Sequence, residues 1–168
     1  LVYGNTIGVS IPSLSLSSSV LYDDVSRPIN STDFADNTTI YTYDENDNLK
    51  TITDAMNNIT RFYYDANDNL TKITNARGYN TTINYDNNDF MTDLSFQGAS
   101  RSYTYNRDGT LATFTNPNEH TFNYNYNSNG ELTSDGYASY SYNSKGQLSS
   151  VTRNSNSISY SYDALGRV

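Results

Sequence analysis

The sequence predicts an all-β fold, an antiparallel meander of repeated β-hairpins, on three observations. The first is a phrase stated twice: Tyr41-Thr-Tyr43-Asp44-Glu-Asn-Asp47-Asn-Leu49-Lys-Thr-Ile52-Thr53-Asp54 returns as Phe62-Tyr-Tyr64-Asp65-Ala-Asn-Asp68-Asn-Leu70-Thr-Lys-Ile73-Thr74-Asn75. A unit recurring this closely marks a repeat architecture. The second is composition. Only 35% of the 168 residues are hydrophobic, yet 17 are Tyr, and Thr, Ile and Asn are plentiful. Disordered chains lack such aromatic and β-branched residues, whereas half-buried strands joined by tight turns require them. The third is the regular return of turn-forming Asp, Asn and Gly between the apolar positions.

Residues 1–21 read as an N-terminal strand or a Ser-rich lead-in. They comprise Leu1-Val-Tyr-Gly, Ile7-Gly-Val9-Ser-Ile11-Pro12, and Leu14-Ser-Leu16-Ser-Ser-Ser-Val20. Alternation of Leu14 and Leu16 against Ser13, Ser15 and Ser17 has the period of a strand. The serine content suits a linker equally well.

Residues 22–168 form the repeat region. Its anchor tyrosines are Tyr22, Tyr43, Tyr64, Tyr85, Tyr105, Tyr126, Tyr142 and Tyr162, in steps of 21, 21, 21, 20, 21, 16 and 20 residues. The first copy is worn, with Pro28 in the Leu position. In the 16-residue step, Ser134-Asp135-Gly136-Tyr137 replaces the longer second half, as a tight hairpin turn would.

Each copy has two halves. The first pairs an aromatic or Ile with the anchor two residues on, as in Tyr41/Tyr43, Phe62/Tyr64, Ile83/Tyr85, Tyr103/Tyr105 and Tyr140/Tyr142. Residues two apart share one face of a strand. After the anchor stands Asp or Asn, whose side chain can hydrogen-bond the turn backbone it opens. Four residues after the anchor comes Gly109, Gly130, Gly146 or Gly166, or else Asp47, Asp68 or Asp89. These residue types accept positive φ.

The second half restarts at Leu49, Leu70, Met91, Leu111, Leu132 or Leu148, with an apolar residue three on, such as Ile52, Ile73, Leu94, Phe114 or Val151. A spacing of three breaks strict alternation. Either a β-bulge intervenes or both sheet faces are partly covered. Second turns follow at Asp54–Asn58, Asn75–Gly78 and Asn116–Asn118.

Tyr162-Asp163-Ala164-Leu165-Gly166-Arg167-Val168, with Tyr142-Asn-Ser-Lys-Gly146-Gln-Leu148 and Tyr64-Asp65-Ala-Asn-Asp-Asn-Leu70, resembles the YD repeat of the rearrangement-hotspot (Rhs) family. The likeness runs from about residue 22 to 168, through seven good copies and a worn one. It implies a β-sheet that curves or spirals into a hollow shell, as in bacterial polymorphic toxins, insecticidal toxin complexes and teneurins. The family Gly is Asp at positions 47, 68 and 89, and the Gly-Arg of the family phrase survives only at Gly166-Arg167. The terminal region that carries autoproteolytic carboxylates in family members has no counterpart, so neither self-cleavage nor toxicity is carried over.

The chemistry-bearing residues are few. Formal net charge is −8, and no Lys/Arg stripe exists for nucleic acid or an anionic membrane. There is no Cys, hence no disulfide, thiolate ligand or Cys nucleophile. No apolar run approaches the ~20 residues that span a bilayer. Asp44-x-Asn46-x-Asn48 and Asp65-x-Asn67-x-Asn69 have the one–three–five oxygen spacing of a calcium loop, but Leu49 and Leu70 stand where Gly belongs, and Ala55 and Ala76 where Glu belongs. Repeated turn residues account for the pattern, and the expectation is no metal or cofactor. His120 reads as an exposed turn histidine, and paired carboxylates such as Asp44 and Asp65 belong to the repeat. No catalytic residue is expected. Sequons at Asn30, Asn37, Asn58, Asn69 and Asn80 read as a by-product of turn-Asn followed by strand-Thr.

The functional expectation is a non-enzymatic scaffold, a piece of a larger exported or cell-surface protein whose targeting segment lies outside this sequence. Its partners would be flanking repeats of the same longer chain or another copy at an open strand edge. The alternative is a carbohydrate or cell-wall binding module using the off-stripe Tyr63, Tyr79 and Tyr137.

Overall fold

The computed structural model describes residues 5–14 and 16–168. Leu1-Val-Tyr-Gly and Ser15 of the lead-in lie outside the described residues. Apart from one 3-10 turn, Pro12–Leu14, the regular elements are β-strands, 17 of them among the described residues. The strands follow one another in chain order, and the order does not close on itself.

The chain forms two compact units, one holding the described residues through Asn84 with Ser95–Gly98, the other Tyr85–Leu94 with Ala99–Val168. The strands of the first region are β1 (Thr6–Ile11), β2 (Leu16–Tyr22), β3 (Pro28–Thr32), β4 (Thr38–Tyr43), β5 (Leu49–Thr53), β6 (Ile59–Tyr64), β7 (Leu70–Thr74) and β8 (Asn80–Tyr85). Each pairs antiparallel with its neighbour in sequence. In the lead-in, which the sequence left open between strand and linker, Leu14 closes the 3-10 turn and β2 begins at Leu16. Pro12 opens that turn, where its missing N–H costs no ladder bond.

The remaining strands are β9 (Met91–Phe96), β10 (Ala99–Tyr105), β11 (Leu111–Thr115), β12 (Thr121–Asn123), β13 (Asn125–Tyr126), β14 (Leu132–Ser134), β15 (Ser139–Tyr142), β16 (Leu148–Arg153) and β17 (Asn156–Ser159). Strands β10 to β12 pair in order, as do β13 to β17. Tyr124 separates β12 from β13, and its N–H still donates to the Ala112 carbonyl.

The question left open by the Leu-to-Ile spacing is settled by register. Tyr41 faces Ile52 and Thr42 faces Thr51, but Tyr43 faces Leu49, so Lys50 is an extra residue in β5. This bulge restores Leu49 and Ile52 to one face, opposite Tyr43 and Tyr41. The same shift recurs opposite Tyr22, Tyr64, Tyr105, Tyr126 and Tyr142. Within each hairpin one face therefore carries the larger apolar pair, Tyr41–Ile52, Phe62–Ile73, Tyr103–Phe114 or Tyr140–Val151. The other carries Thr42–Thr51, Thr104–Thr113 and Ser141–Ser150 pairs, the first two joined by hydroxyl bonds of 2.7 Å. Cross-strand pairs of both kinds are the stabilising unit of a sheet.

The unequal steps also have a geometric cause. In the 21-residue copies, Asp54 N–H donates to the Asn58 carbonyl, leaving a three-residue loop with Asn57 at φ 61°. At Gln97-Gly98 and Asn154-Ser155 the loop has two residues, both at positive φ, the type I′ geometry suited to strand twist. Each shortens its copy by one residue, giving the 20-residue steps.

Packing is shallow. Phe122, at 5% exposure, is the one buried hydrophobic residue among those described. The short turn of the 16-residue copy folds over it: a Cβ on Gly136 would lie 3.3 Å from the Phe122 Cα. Phe122 stacks with Phe114 at 5.7 Å and packs with Tyr137 at 4.7 Å. Elsewhere the inward apolar positions, such as Leu49, Ile52, Leu70 and Ile73, are half-buried.

Candidate functional site

The feature repeated with least variation is the join between successive hairpins. Tyr43 donates its hydroxyl to the Pro28 carbonyl, Tyr64 to Leu49, Tyr105 to Met91, Tyr142 to Leu132 and Tyr162 to Leu148, all at 2.8–2.9 Å. Each acceptor opens the second strand of the preceding hairpin. The Leu49 carbonyl lies beside the bulge and beyond the ladder to β6, whose first pair is Thr51–Arg61. The phenol supplies the bond the ladder omits there. Pro28 serves in the worn copy because the role needs only a carbonyl, which proline retains. Burial raises the phenol pKa of Tyr43, Tyr64 and Tyr105 above the ordinary tyrosine value, keeping the donor protonated.

The turns form a second repeated feature. Asp44 Oδ1 accepts the N–H groups of Asn46 and Asn48, both at 2.9 Å. Asp23, Asp65, Asp86, Asn127, Asn143 and Asp163 make the same two bonds in their own turns. The fourth position after the anchor has positive φ throughout, from Asp47 at 69° to Gly166 at 79°. At the opposite strand ends, Asp33, Asp54, Asn75 and Asn116 close turns by identical bonds. The Asp33 turn was not recognised in the sequence, although its Asp-x-x-Asp-Asn spelling matches Asp54–Asn58 in type.

In several turns the side chains of the first and fifth residues complement each other. An opening Asp meets a donor, as in Asp23–Arg27 and Asp163–Arg167, both 2.7 Å. An opening Asn meets an acceptor, as in Asn127–Glu131 at 2.6 Å and Asn143–Gln147 at 2.9 Å. Sequence reading found the turn residues singly and missed this pairing, which the i, i+4 spacing carries.

The residues singled out for chemistry take structural places. Asn46 and Asn48 turn their amides to Asp68 of the next turn, at 3.0 and 2.6 Å. Among the described residues no three His, Asp or Glu side chains group to hold a metal ion. Asp44 and Asp65 each bond the backbone of their own turn. His120 is exposed, with its ring edge-on to Phe122 at 4.5 Å. The sequon amides of Asn37 and Asn58 donate to Asp33 and Asp54, and that of Asn69 to Asp65. Asn80 accepts from Thr74, and Asn30 from Thr32.

Tyr63, Tyr79 and Tyr137 are exposed, at 40%, 47% and 56%. Tyr63 lies on the hydroxyl face opposite Lys72, whose ammonium sits 3.9 Å from the ring centroid. Tyr79 lines a shallow hollow with Asp54, Asn58, Arg77 and Phe96. Tyr137 packs on Phe122 with the Arg153 guanidinium 5.4 Å from its ring.

Hairpins chained by a tyrosine-to-carbonyl bond, each opened by Tyr-Asp or Tyr-Asn, define a YD/Rhs-repeat sheet. The RHS repeat profile matches residues 43–79 and the teneurin YD-shell profile residues 73–168. The chain belongs to the teneurin YD-shell family. No curated protein matches it. Among solved structures, the complex of TcdB2-TccC3 with Cdc42 is similar at 17% identity and TM-score 0.57, over 89% of this chain and 12% of that one. The Photorhabdus luminescens Tc holotoxin pore is similar at 17% identity and TM-score 0.56, over 89% of this chain and 11% of that one. TcdB2-TccC3 without its hypervariable C-terminal region is similar at 20% identity and TM-score 0.55, over 92% of this chain and 9% of that one. At such identity the likeness is one of fold. The chain spans about a tenth of the length of these relatives.

Proposed function

We propose that this chain is a non-enzymatic wall segment of a larger exported or cell-surface protein, in which YD hairpins enclose or display another part of the same molecule. Residues 1–21 form the lead-in and residues 22–168 the wall. The ties from Tyr43, Tyr64, Tyr105, Tyr142 and Tyr162 to the preceding hairpin carry this reading, because they fasten one repeat to the next. Family membership supports the shell role. The fold likeness to toxin-complex structures is the ground for placing a toxin effector among the candidate cargoes. Flanking repeats would occupy the open edges, and a second copy could pair there. Limited proteolysis of the full-length protein tests the reading: an enclosed cargo domain resists cleavage until the wall is opened, whereas immediate cleavage of every flanking domain contradicts enclosure.

A second reading, glycan binding, draws on one hollow. Tyr79 and Phe96, 47% and 44% exposed, stand there among Asp54, Asn58 and Arg77, an arrangement in which a sugar could stack and hydrogen-bond. Retention on a glycan array, lost in Tyr79→Ala, would support it. Absence of retention would remove it.

A further inference from the structure

Asp or Asn stands directly before Gly at Asp108-Gly109, Asn129-Gly130 and Asp135-Gly136. At such a pair the glycine nitrogen can attack the preceding side-chain carbonyl carbon and close a succinimide ring. Glycine permits this because no Cβ shields its nitrogen. The surroundings separate the three pairs. Asp108 Oδ1 accepts the Thr110 N–H at 3.0 Å and its hydroxyl at 2.7 Å, and the Phe90 ring stands 2.9 Å from where a Cβ on Gly109 would lie. Asp135 Oδ1 accepts the N–H groups of Tyr137 and Ala138, both at 2.8 Å, and its Oδ2 accepts the Tyr140 hydroxyl at 2.7 Å. Gly136 is pressed on Phe122, whose Cα would lie 3.3 Å from an added Cβ. The Thr110 hydroxyl holds the Asp108 carboxyl, and the Tyr140 hydroxyl the Asp135 carboxyl, below the usual aspartate range. An ionised carboxylate is a poor electrophile.

Asn129 differs on each count. Its side-chain amide is uncharged, exposed, and without a bond among the described residues. A Cβ on Gly130 would meet nothing within 4 Å. The repeat also supplies a matched control. Asn88 holds the same place in its turn, with its N–H 2.8 Å from Asp86 Oδ1 where that of Asn129 is 3.0 Å from Asn127 Oδ1. The following residue has φ 62° at Asp89 and 78° at Gly130. The two sites differ in whether that residue carries a side chain.

We propose that Asn129 is a modification site, at which this chain converts asparagine to aspartate and isoaspartate with water as the co-reactant. The Gly130 nitrogen leaves its 3.0 Å bond to the Asn127 carbonyl, gives its proton to hydroxide and bonds Asn129 Cγ. The Cγ–Nδ2 bond breaks, and Nδ2 departs as ammonia with a proton from the water just formed. A further water opens the ring, at Cγ to give aspartate or at the backbone carbonyl to give isoaspartate, and nothing is oxidised or reduced. Isoaspartate routes the chain through its own side chain and lengthens the turn by a methylene. The hairpin it disturbs is held by the pairs Asn125–Ser134 and Tyr126–Leu132.

The test incubates the folded full chain at neutral pH and maps its peptides over time. Mass reports exchange of amide for acid, and methyl transfer from S-adenosylmethionine by an isoaspartyl methyltransferase reports isoaspartate. Gly130→Asp, which copies Asn88-Asp89, is followed in parallel. The expected result is conversion at Asn129 ahead of Asn88, Asp108 and Asp135, and its loss in Gly130→Asp. Conversion at Asn88, Asp108 or Asp135 as fast as at Asn129 overturns the proposal. So does conversion unchanged by Gly130→Asp, or a parent chain that converts in urea but not when folded.

Discussion

The Tyr64 hydroxyl lies 2.9 Å from the carbonyl oxygen of Leu49, a residue 15 positions earlier in the preceding hairpin. The bond depends on the bulge at Lys50, which takes the Leu49 carbonyl out of the ladder. Tyr64→Phe keeps the ring and removes the donor. It should lower stability by about 1–2 kcal/mol, the cost of stranding a part-buried carbonyl. Tyr63→Phe, on the exposed face, should stay within about 0.5 kcal/mol of the parent. Denaturant titration of the two variants checks the contrast.

Phe122 is the best-covered side chain described, at 5% exposure. Phe122→Ala should cost about 3 kcal/mol and loosen the turn that Gly136 lays over it. Loss of near-ultraviolet dichroism from the packed rings, together with a lower unfolding midpoint, would report both effects.

Gly109 and Gly130 have matching backbones, φ 84° and 78°, but different surroundings. Alanine at either adds strain of about 1 kcal/mol for a left-handed residue. At Gly109 the new methyl also meets the Phe90 ring at 2.9 Å. Gly109→Ala should therefore be the more destabilising, and Phe90→Ala should erase the difference between the two. Thermal melts of the three variants and the double variant decide it.

Stability should fall toward both ends of the pH scale. The Asn58 and Asn37 amides and turn N–H groups hold the Asp54 and Asp33 carboxyls below the usual aspartate range, and backbone and side-chain bonds from Arg167 do so for Asp163. For a lowered pKa, the stabilisation is present above the unfolded value, about 3.9, and is lost as pH falls through the folded one. Tyr43, Tyr64 and Tyr105 are raised by burial. Their contribution is complete below the unfolded value near 10 and is lost as pH rises through the folded ones. Unfolding midpoints across pH test both limbs. Asp54→Asn, which keeps the Oδ1 acceptor, should flatten the acid limb.

Much of this was legible because turns announce themselves locally. Asp44 and Asp47 declare a turn opening and a left-handed position by residue type alone, and the structure bears out both. The bulge was half legible: the Leu49-to-Ile52 spacing signalled an irregularity, but only the partner strand reveals that Lys50 absorbs it. Gln97 gave no signal for its φ of 51°, since Gln is not a favoured left-handed residue. The destination of the tyrosine hydroxyls was not legible either. That bond joins a side chain to a carbonyl, and every residue carries a carbonyl. Around Leu14 the sequence left strand and linker open, because the leucine–serine alternation has the strand period while Pro12 two residues earlier directs a turn.

The most direct test removes one repeat in register. Deleting Asp44–Tyr64, 21 residues, joins Tyr43 to Asp65 and offers Leu70 to Tyr43 as a new partner. Deleting 20 residues, Asp44–Tyr63, sends every upstream side chain to the wrong face. The account predicts that the first variant unfolds cooperatively with a smaller denaturant slope and retains native tyrosine fluorescence, while the second loses cooperative unfolding. Equal behaviour of the two deletions, whether both fold or both fail, would contradict the claim that the anchor-tyrosine repeat sets the register of this sheet.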